Sequence, residues 1–202
     1  MSETLHPVVR AAAGGQLPEW AVASERRREH MGRVSTLLRD WAKLTNLLPD
    51  ETERWASLGY LHDALRDQDP AELRDLVPTR LAGLPGRVLH GPAAAERLKA
   101  DGVDDPELLN AITYHTLGHR DFGTLGCSLY VADFLEPGRS FRRKWREELR
   151  ARMPEALKSV TREIVGARIR HLVDRNRPVR PETMGFWNTM TTGEPWAAAS
   201  QV

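Results

Sequence analysis

The sequence predicts an all-α fold built around one main domain. Leu (25 residues) and Ala (22) far outnumber Val (13) and Ile (3), a mixture that favours helices over strands. Apolar residues recur at intervals of three or four, as on one face of an amphipathic helix. Several prolines stand where such periodic segments begin, a position that the first turn of a helix accepts. A chain of 202 residues can bury a core without disulfides or a structural metal.

The first part of the chain predicts three helices and a loop. A long helix is expected from about residue 18 to residue 47. Its apolar stripe consists of Val34, Leu37, Trp41 and Leu44. A second helix begins at Pro49, and a short third helix covers residues 70–77. Residues 78–92 contain three prolines and three glycines, which indicates a loop.

The second part predicts four further helical segments. The first runs from Pro92 to about residue 100, and the next begins at Pro106 and ends at Gly118. An apolar helix covers residues 123–136, and a last helical region extends from about 141 to 175 with a break at Pro154.

The remaining residues, 176–202, contain three prolines and no long apolar period. They indicate an extended arm or a partly disordered tail. The predicted organisation is therefore an N-terminal segment (1–17), a helical domain (18–175) and a C-terminal arm (176–202).

The charge and cysteine content exclude several classes of partner and site. Lys and Arg (29) balance Asp and Glu (28), and the resulting charge of +1 argues against broad electrostatic capture of nucleic acid or an anionic membrane. The single cysteine, Cys127, excludes an internal disulfide or a multi-thiolate metal site. With no apolar run of 18 residues and no leader-like start, we expect a soluble, cytoplasmic protein.

Polar residues occupy positions where the helical pattern predicts apolar ones. His30, His62 and His115 fall on apolar stripes, and Asp133 lies inside an apolar run. A carboxylate in a core costs several kcal/mol unless it is paired, protonated or bound to a metal. A lone inward histidine is more often a hydrogen-bonded core residue than a ligand. Several helices that all point such groups inward, however, are typical of metal sites in all-α folds.

The adjacent pair His62-Asp63 favours the metal interpretation. Neighbouring helical residues diverge by about 100°, but a short carboxylate and an imidazole can both reach one ion. Together with His30 and Asp133 they provide nitrogen and oxygen ligands without a thiolate, a set that suits iron, manganese or zinc.

The residues around these positions form five motifs in a fixed order. They are Arg27-x-x-His30, Leu61-His62-Asp63-x-x-Arg66, Leu89-His90-Gly91, Ala111-Ile112-x-x-His115-Thr116 and Ala132-Asp133-x-x-Glu136-Pro137-x-Arg139. Over about residues 24–175 this combination resembles the HD-domain metal-dependent phosphohydrolases. Among these it is most similar to the YqeK-like family, the symmetrical bis(5′-nucleosyl)-tetraphosphatases.

The resemblance implies an all-α bundle with two adjacent metal positions, and the family is associated with iron. The implied ligands of one ion are His30, His62, Asp63 and Asp133. The implied ligands of the other are His90 and His115, with Asp63 bridging the two ions. The activity it implies is hydrolysis of diadenosine tetraphosphate to two ADP by metal-activated water.

The resemblance also implies roles for residues outside the ligand set. Asp63 and Arg66 are the expected catalytic residues, and Arg66 replaces a lysine that is usual in the family. Arg66, His119 and Arg139 are the expected substrate-binding residues. Arg139 fits an ion pair that fixes the Glu136 turn equally well, and His119 fits an exposed loop histidine better. The residues that contact adenine stay open among Phe122, Tyr130 and Phe134.

Three other interpretations stay open at this stage. One is an HD-family phosphohydrolase that acts on another nucleotide, and a second is a regulatory HD module that binds metal or nucleotide without turnover. The third concerns the arm, where Trp187 and Trp196 could dock a partner or a second copy of the chain in a homodimer. Packing of these side chains on the chain's own surface is the favoured alternative.

Overall fold

A computed structural model describes residues 5–192, and these residues form helices and turns without a β-strand. The all-α prediction is confirmed. A 3₁₀ turn, Gly86–Val88, accompanies eleven helices in this range. The helices are α1 (Pro7–Ala13), α2 (Glu25–Leu44), α3 (Pro49–Leu61), α4 (Pro70–Leu76), α5 (Thr79–Ala82), α6 (His90–Ala100), α7 (Pro106–Tyr114), α8 (Thr124–Leu135), α9 (Arg143–Arg150), α10 (Leu157–Val173) and α11 (Pro181–Thr191).

Helices α2 and α3 form a hairpin that brings two of the motifs together. Pro49 opens α3 at its first turn, and Asn46 in the connection adopts a left-handed backbone with φ of 56°. The two helices approach closely at Gly59, where a Cβ atom would lie 2.6 Å from the Cα of Ser35. This close approach places the end of α3 beside the middle of α2.

Helix α8 is the central helix of the core. Nine of its twelve residues are buried, and it packs against α2, α3, α7 and α10. A helix that is apolar on nearly all sides is expected in such a position. Asp133 on this helix is therefore held among the surrounding helices rather than presented to bulk water.

The first long helix begins later than predicted, at Glu25 instead of residue 18. The backbone N–H of Val22 donates to Ala64, and the N–H of Asp67 donates to Val22. The carboxylate of Asp67 in turn accepts from the backbone and the hydroxyl of Ser24. These long-range bonds hold the preceding segment extended along the end of α3, so α2 can begin only after Ser24.

The prediction of an extended arm is wrong for residues 181–191, which form α11. Pro181 occupies the first turn of this helix, and Phe186 is fully buried in edge-to-face contact with Phe122 and Tyr130. Trp187 packs against the chain's own core, while Trp196 lies outside the described residues. The domain boundary at residue 175 stays a prediction.

Within residues 5–192, no helix combines the length and the apolar character that crossing a membrane requires.

Candidate metal centre

Four histidines and two aspartates from separate parts of the chain meet in one buried cluster. The cluster comprises His30 on α2, His62 and Asp63 at the end of α3, His90 at the start of α6, His115 at the end of α7 and Asp133 on α8. The four imidazoles are each less than a tenth exposed. All six ligands expected from the resemblance are thus brought together, and the helix expected from Pro92 begins earlier, at His90.

Asp63 lies at the middle of the cluster and faces histidines on both sides. Its Oδ1 lies 3.0 Å from Nε2 of His90 and 3.5 Å from Nε2 of His115. Its Oδ2 lies 3.5 Å from Nε2 of His62 and 3.7 Å from Nε2 of His30. One carboxylate is therefore shared by two halves of the cluster, each of which contains two imidazoles.

Backbone carbonyls set the orientation of two of the rings. Nδ1 of His62 lies 2.8 Å from the carbonyl oxygen of Gly59, and Nδ1 of His115 lies 2.8 Å from that of Ile112. Since a carbonyl oxygen only accepts hydrogen bonds, Nδ1 carries the proton in both rings. The lone pair of each Nε2 is then directed to the cluster, as metal ligation requires.

His30 is oriented by a carboxylate instead. Its Nδ1 lies 3.3 Å from Glu136, and its Nε2 lies 3.1 Å from Asp133. Glu136 is itself held by the guanidinium of Arg33 at 2.6 Å and by the backbone N–H of Gly138 at 2.7 Å. A carboxylate behind a histidine is the usual arrangement around metal-ligating imidazoles, because it fixes the ring and raises its basicity.

His90 and His115 are brought together by a close contact between α6 and α7. Their Nε2 atoms are 3.1 Å apart. A Cβ atom on Gly91 would lie 2.6 Å from the carbonyl oxygen of Ile112 and 3.1 Å from the His115 ring, so only glycine fits there without a shift. The Leu89-His90-Gly91 motif therefore combines a candidate ligand with the residue that allows its helix to approach.

The donor set fits a divalent metal ion. Nε2 of His30 and Nε2 of His62 are buried and form no hydrogen bond, a costly arrangement in a core unless an ion completes it. Two groups have ligand atoms within 4.8 Å of one another, and His62 belongs to both. They are His30, His62 and Asp133, and His62, Asp63 and His115.

The protonation states of His62, His90 and Asp63 agree with this fit, whereas the pKa of His30, which burial would lower, is raised by its hydrogen bonds with Asp133 and Glu136. Burial lowers the pKa of His62 to about 4 and also lowers the pKa of His90, so both rings are neutral near pH 7. Burial alone would raise the pKa of Asp63, but the facing imidazoles hold it well below its usual range. Neutral imidazoles and ionised carboxylates are the forms that bind metal ions.

Arginines surround the cluster, and two of them neutralise its aspartates. Arg27 donates to Asp63 at 2.7 Å. Arg139 donates to the Asp133 carboxylate at 2.5 Å and to its carbonyl oxygen at 2.8 Å. Burial alone would raise the pKa of Asp133, but the charge of Arg139 and the hydrogen bond with His30 together hold the pKa well below its usual range. Arg139 therefore forms its close ion pair with Asp133, whereas Glu136, the partner considered from the sequence, lies 3.9 Å away.

His119 is not an exposed loop histidine. Its side chain is 20% exposed, and its ring stacks on Tyr114 with centroids 4.2 Å apart. Of the adenine candidates, Phe122 and Tyr130 are buried in the core around Phe186. Phe134 is half-buried, and the guanidinium of Arg146 lies 4.0 Å above its ring.

Comparison with known proteins agrees with this geometry. The model of the HD domain family matches residues 27–173, most of the chain. A Halalkalibacterium halodurans protein named bis(5′-nucleosyl)-tetraphosphatase, symmetrical, is 27% identical over 83% of this chain and 90% of its own length. A Staphylococcus aureus protein of the same name is 30% identical over 57% of this chain and 61% of its own length.

A solved structure has the same fold. It is the crystal structure of a Clostridium acetobutylicum protein described as a predicted HD superfamily hydrolase involved in NAD metabolism. It is 24% identical to this chain, covers 90% of this chain and 94% of its own, and superposes with a TM-score of 0.72. With a family match over most of its length and a buried cluster of histidines and aspartates, this chain belongs to the HD domain family.

Proposed function

We propose that this chain is a metal-dependent hydrolase that cleaves diadenosine tetraphosphate symmetrically into two ADP. The observation that carries the proposal is the shared position of Asp63, whose two oxygens face His90 and His115 on one side and His30 and His62 on the other. The names of the Halalkalibacterium and Staphylococcus relatives support the same substrate.

The six clustered residues would hold two ions. His30, His62, Asp63 and Asp133 would bind one, and His90 and His115 would bind the other with Asp63 shared between them. Two adjacent divalent ions would polarise phosphoryl oxygens and lower the pKa of a water molecule. We propose iron as the metal because the family that the chain resembles is associated with iron, and the thiolate-free set of nitrogen and oxygen ligands suits iron as well as manganese and zinc.

Arg66 would bind the phosphates. Its side chain is half-buried and forms no ion pair with any residue in the described range 5–192. Its charge contributes to the lowered pKa values of His90 and Asp67, so it lies close to the cluster. An unpaired guanidinium at this place can bind a phosphoryl group through two hydrogen bonds.

Arg139 and His119 would act in different ways. Arg139 is engaged by Asp133 and would position that carboxylate. Nδ1 of His119 accepts a hydrogen bond from the backbone N–H of Asp121 at 3.3 Å, so the ring proton resides on Nε2. Burial lowers the pKa of His119, and the neutral ring would offer this Nε2–H to the substrate.

The test is product analysis with the purified, metal-containing protein. Diadenosine tetraphosphate is incubated with the protein, and the nucleotides are separated by anion-exchange chromatography. We expect ADP as the sole product, and removal of the metal by a chelator should abolish its release. Equal amounts of AMP and ATP would contradict symmetrical cleavage.

Two other outcomes would replace the proposal. Hydrolysis of another nucleotide without cleavage of diadenosine tetraphosphate would show a different substrate. Metal binding without hydrolysis of any nucleotide would indicate a regulatory HD module.

A further inference from the structure

The net charge of the chain is close to zero because two regions of opposite charge nearly cancel. Residues 139–180 contain fourteen Lys and Arg against five Asp and Glu, a net charge of +9. Because the whole chain carries +1, the remaining residues carry −8. Such an asymmetry concentrates positive potential on α9, α10 and their connections, where it can attract an anionic partner.

A cavity of about 320 Å³ opens within this basic region, between α10 and α11. Arg152, Arg162, Glu163, Gly166, Arg170 and Trp187 line it. Three of these residues, Glu163, Gly166 and Arg170, lie on α10 at spacings of three, four and seven, which places them along one face of the helix, and Arg162 lies one turn before Gly166. Arg168 points to the opposite side of α10 and donates to the carbonyl oxygen of Thr116, next to His115. The cavity is therefore separate from the metal centre.

The cavity has more positive charge than its own acidic residue can neutralise. Both carboxylate oxygens of Glu163 are engaged, one by the indole N–H of Trp145 at 2.8 Å and the other by Arg152 at 2.9 Å. Arg162 and Arg170 are exposed and have no ion pair among residues 5–192. Two guanidinium groups thus face the cavity rim without a fixed counter-charge.

The aromatic side chain of Trp187 lines the same cavity as these arginines. The indole of Trp187 is half-buried against Gly166, where a Cβ atom would lie 3.0 Å from the six-membered ring. The glycine lets the ring lie close to the backbone of α10. A guanidinium group can donate two parallel hydrogen bonds to the oxygens of one phosphate. Aromatic rings stack on nucleobases of any sequence.

We propose that this cavity is a second nucleotide-phosphate site, in which Arg162 and Arg170 bind the phosphate and the base lies beside Trp187. The phosphate can be supplied by a free nucleotide or by a single strand of RNA. Both sources present the same group to the same arginines. They differ in the number of phosphates that contact the basic surface, and therefore in how steeply affinity falls with salt.

The test uses the full-length, metal-loaded protein and two probes, ADP and a fluorescein-labelled decamer of oligoadenylate RNA. Calorimetry measures how many ADP molecules bind per chain, and fluorescence anisotropy measures the affinity for the RNA at several salt concentrations. The variant is Arg162→Ala/Arg170→Ala. The matched control is Arg175→Ala/Arg177→Ala, which removes the same charge from exposed arginines of the same basic stretch but outside the cavity.

We expect the double variant to bind one ADP fewer than the wild type, or to bind the RNA at least about tenfold more weakly, while the control changes neither result. A change in ADP binding alone identifies a free nucleotide as the ligand, and a change in RNA affinity with a steep salt dependence identifies the strand. ADP bound at the metal centre contributes equally to the wild type and the variant, so a difference of one ADP per chain reports on the cavity alone. Unchanged binding of both probes by the double variant, or an equal loss in the control, would overturn the proposal.

Discussion

Nε2 of His90 lies 3.0 Å from Oδ1 of Asp63, on the opposite side of that carboxylate from His30. This contact connects the end of α3, which Asp63 follows, with the start of α6, where His90 lies. The guanidinium of Arg27 donates a hydrogen bond to the other oxygen of the carboxylate, Oδ2, at 2.7 Å. The two halves of the cluster are therefore linked through one side chain, and a change in either half can be measured separately.

Removal of His90 should affect one half of the cluster. In His90→Ala we expect the metal content to fall from about two ions per chain to about one, because His30, His62 and Asp133 stay in place. Elemental analysis of the purified protein measures this. His171→Ala is the control, since His171 is an exposed residue at the end of α10. A His90 variant that keeps the metal content of the wild type would contradict the proposed ligand set.

Glu136 should act on the metal through His30. Glu136→Gln keeps the shape of the side chain but removes the charge that faces Nδ1 of His30 at 3.3 Å. Loss of such a carboxylate typically costs about 10–100-fold in metal affinity or activity. Metal titration and rate measurements on the same preparation would test the prediction. Glu29→Gln is the matched control, because Glu29 lies near the same Arg33 but is 63% exposed.

The ion pair of Arg33 with Glu136, which lies behind His30, cannot be predicted from the sequence. His30, His62, His115 and Asp133 could be found because they interrupt apolar stripes. Only the Leu89-His90-Gly91 motif points to His90, because the predicted loop has no helical period that this residue could interrupt. The partnership of Arg33 with Glu136 spans 103 positions, and neither residue breaks a local pattern. Its discovery required the tertiary fold.

Gly91 should be essential for the contact between α6 and α7. In Gly91→Ala the new methyl group would meet the Ile112 carbonyl oxygen at 2.6 Å and the His115 ring at 3.1 Å. Overpacking of this kind costs about 1–3 kcal/mol, and here it would also displace a candidate ligand. Chemical denaturation and metal analysis should both report a loss. Gly83→Ala is the control because nothing lies within 4 Å of its added Cβ atom; an equal effect of the two substitutions would contradict the argument.

Asp105 should stabilise the start of α7, the helix that ends at His115. Its carboxylate accepts from the backbone N–H of Leu108 at 3.0 Å and pairs with two nitrogens of Arg54 at 2.6 and 2.8 Å. Asp105→Ala removes both the helix cap and the ion pair, and we expect a loss of about 1–3 kcal/mol in the free energy of unfolding. Asp105→Asn keeps a capping oxygen and should lose less. Asp104→Ala, at an exposed neighbour, should be close to neutral.

The same carboxylate predicts a pH dependence. Burial raises the pKa of Asp105, but the hydrogen bond and charge of Arg54 outweigh it and lower the pKa below the usual 3.8. The folded state therefore binds this proton less readily than the unfolded chain. The stabilisation is complete above about pH 3.8 and is lost as the pH falls through the lower folded value. Urea unfolding between pH 3 and pH 7 should show a smaller acid-side loss in Asp105→Ala than in the wild type.

The errors in the predicted fold have a common cause. Both the late start of α2 and the presence of α11 depend on contacts between distant parts of the chain. Asp67 holds Ser24 outside the helix through hydrogen bonds that span 43 positions of the chain. Helix α11 lacks a long apolar period because few of its side chains are buried, and Phe186 is the fully buried one. Local periodicity does not reveal a helix whose buried residues are only Thr183, Phe186 and Met190.

Phe186 should therefore account for most of the stability that α11 contributes. Its ring lies 5.3 Å from Phe122 and 5.2 Å from Tyr130, measured between centroids, and it fills the space that Gly118 leaves open at a φ of 78°. Replacing a fully buried phenylalanine by alanine costs about 3–5 kcal/mol, because the transfer free energy is lost and a cavity remains. We expect a loss of this size in Phe186→Ala, measured by urea denaturation. Met184→Ala in the same helix, where the side chain is 39% exposed, should cost much less; equal costs would mean that α11 is not anchored through the Phe186 ring.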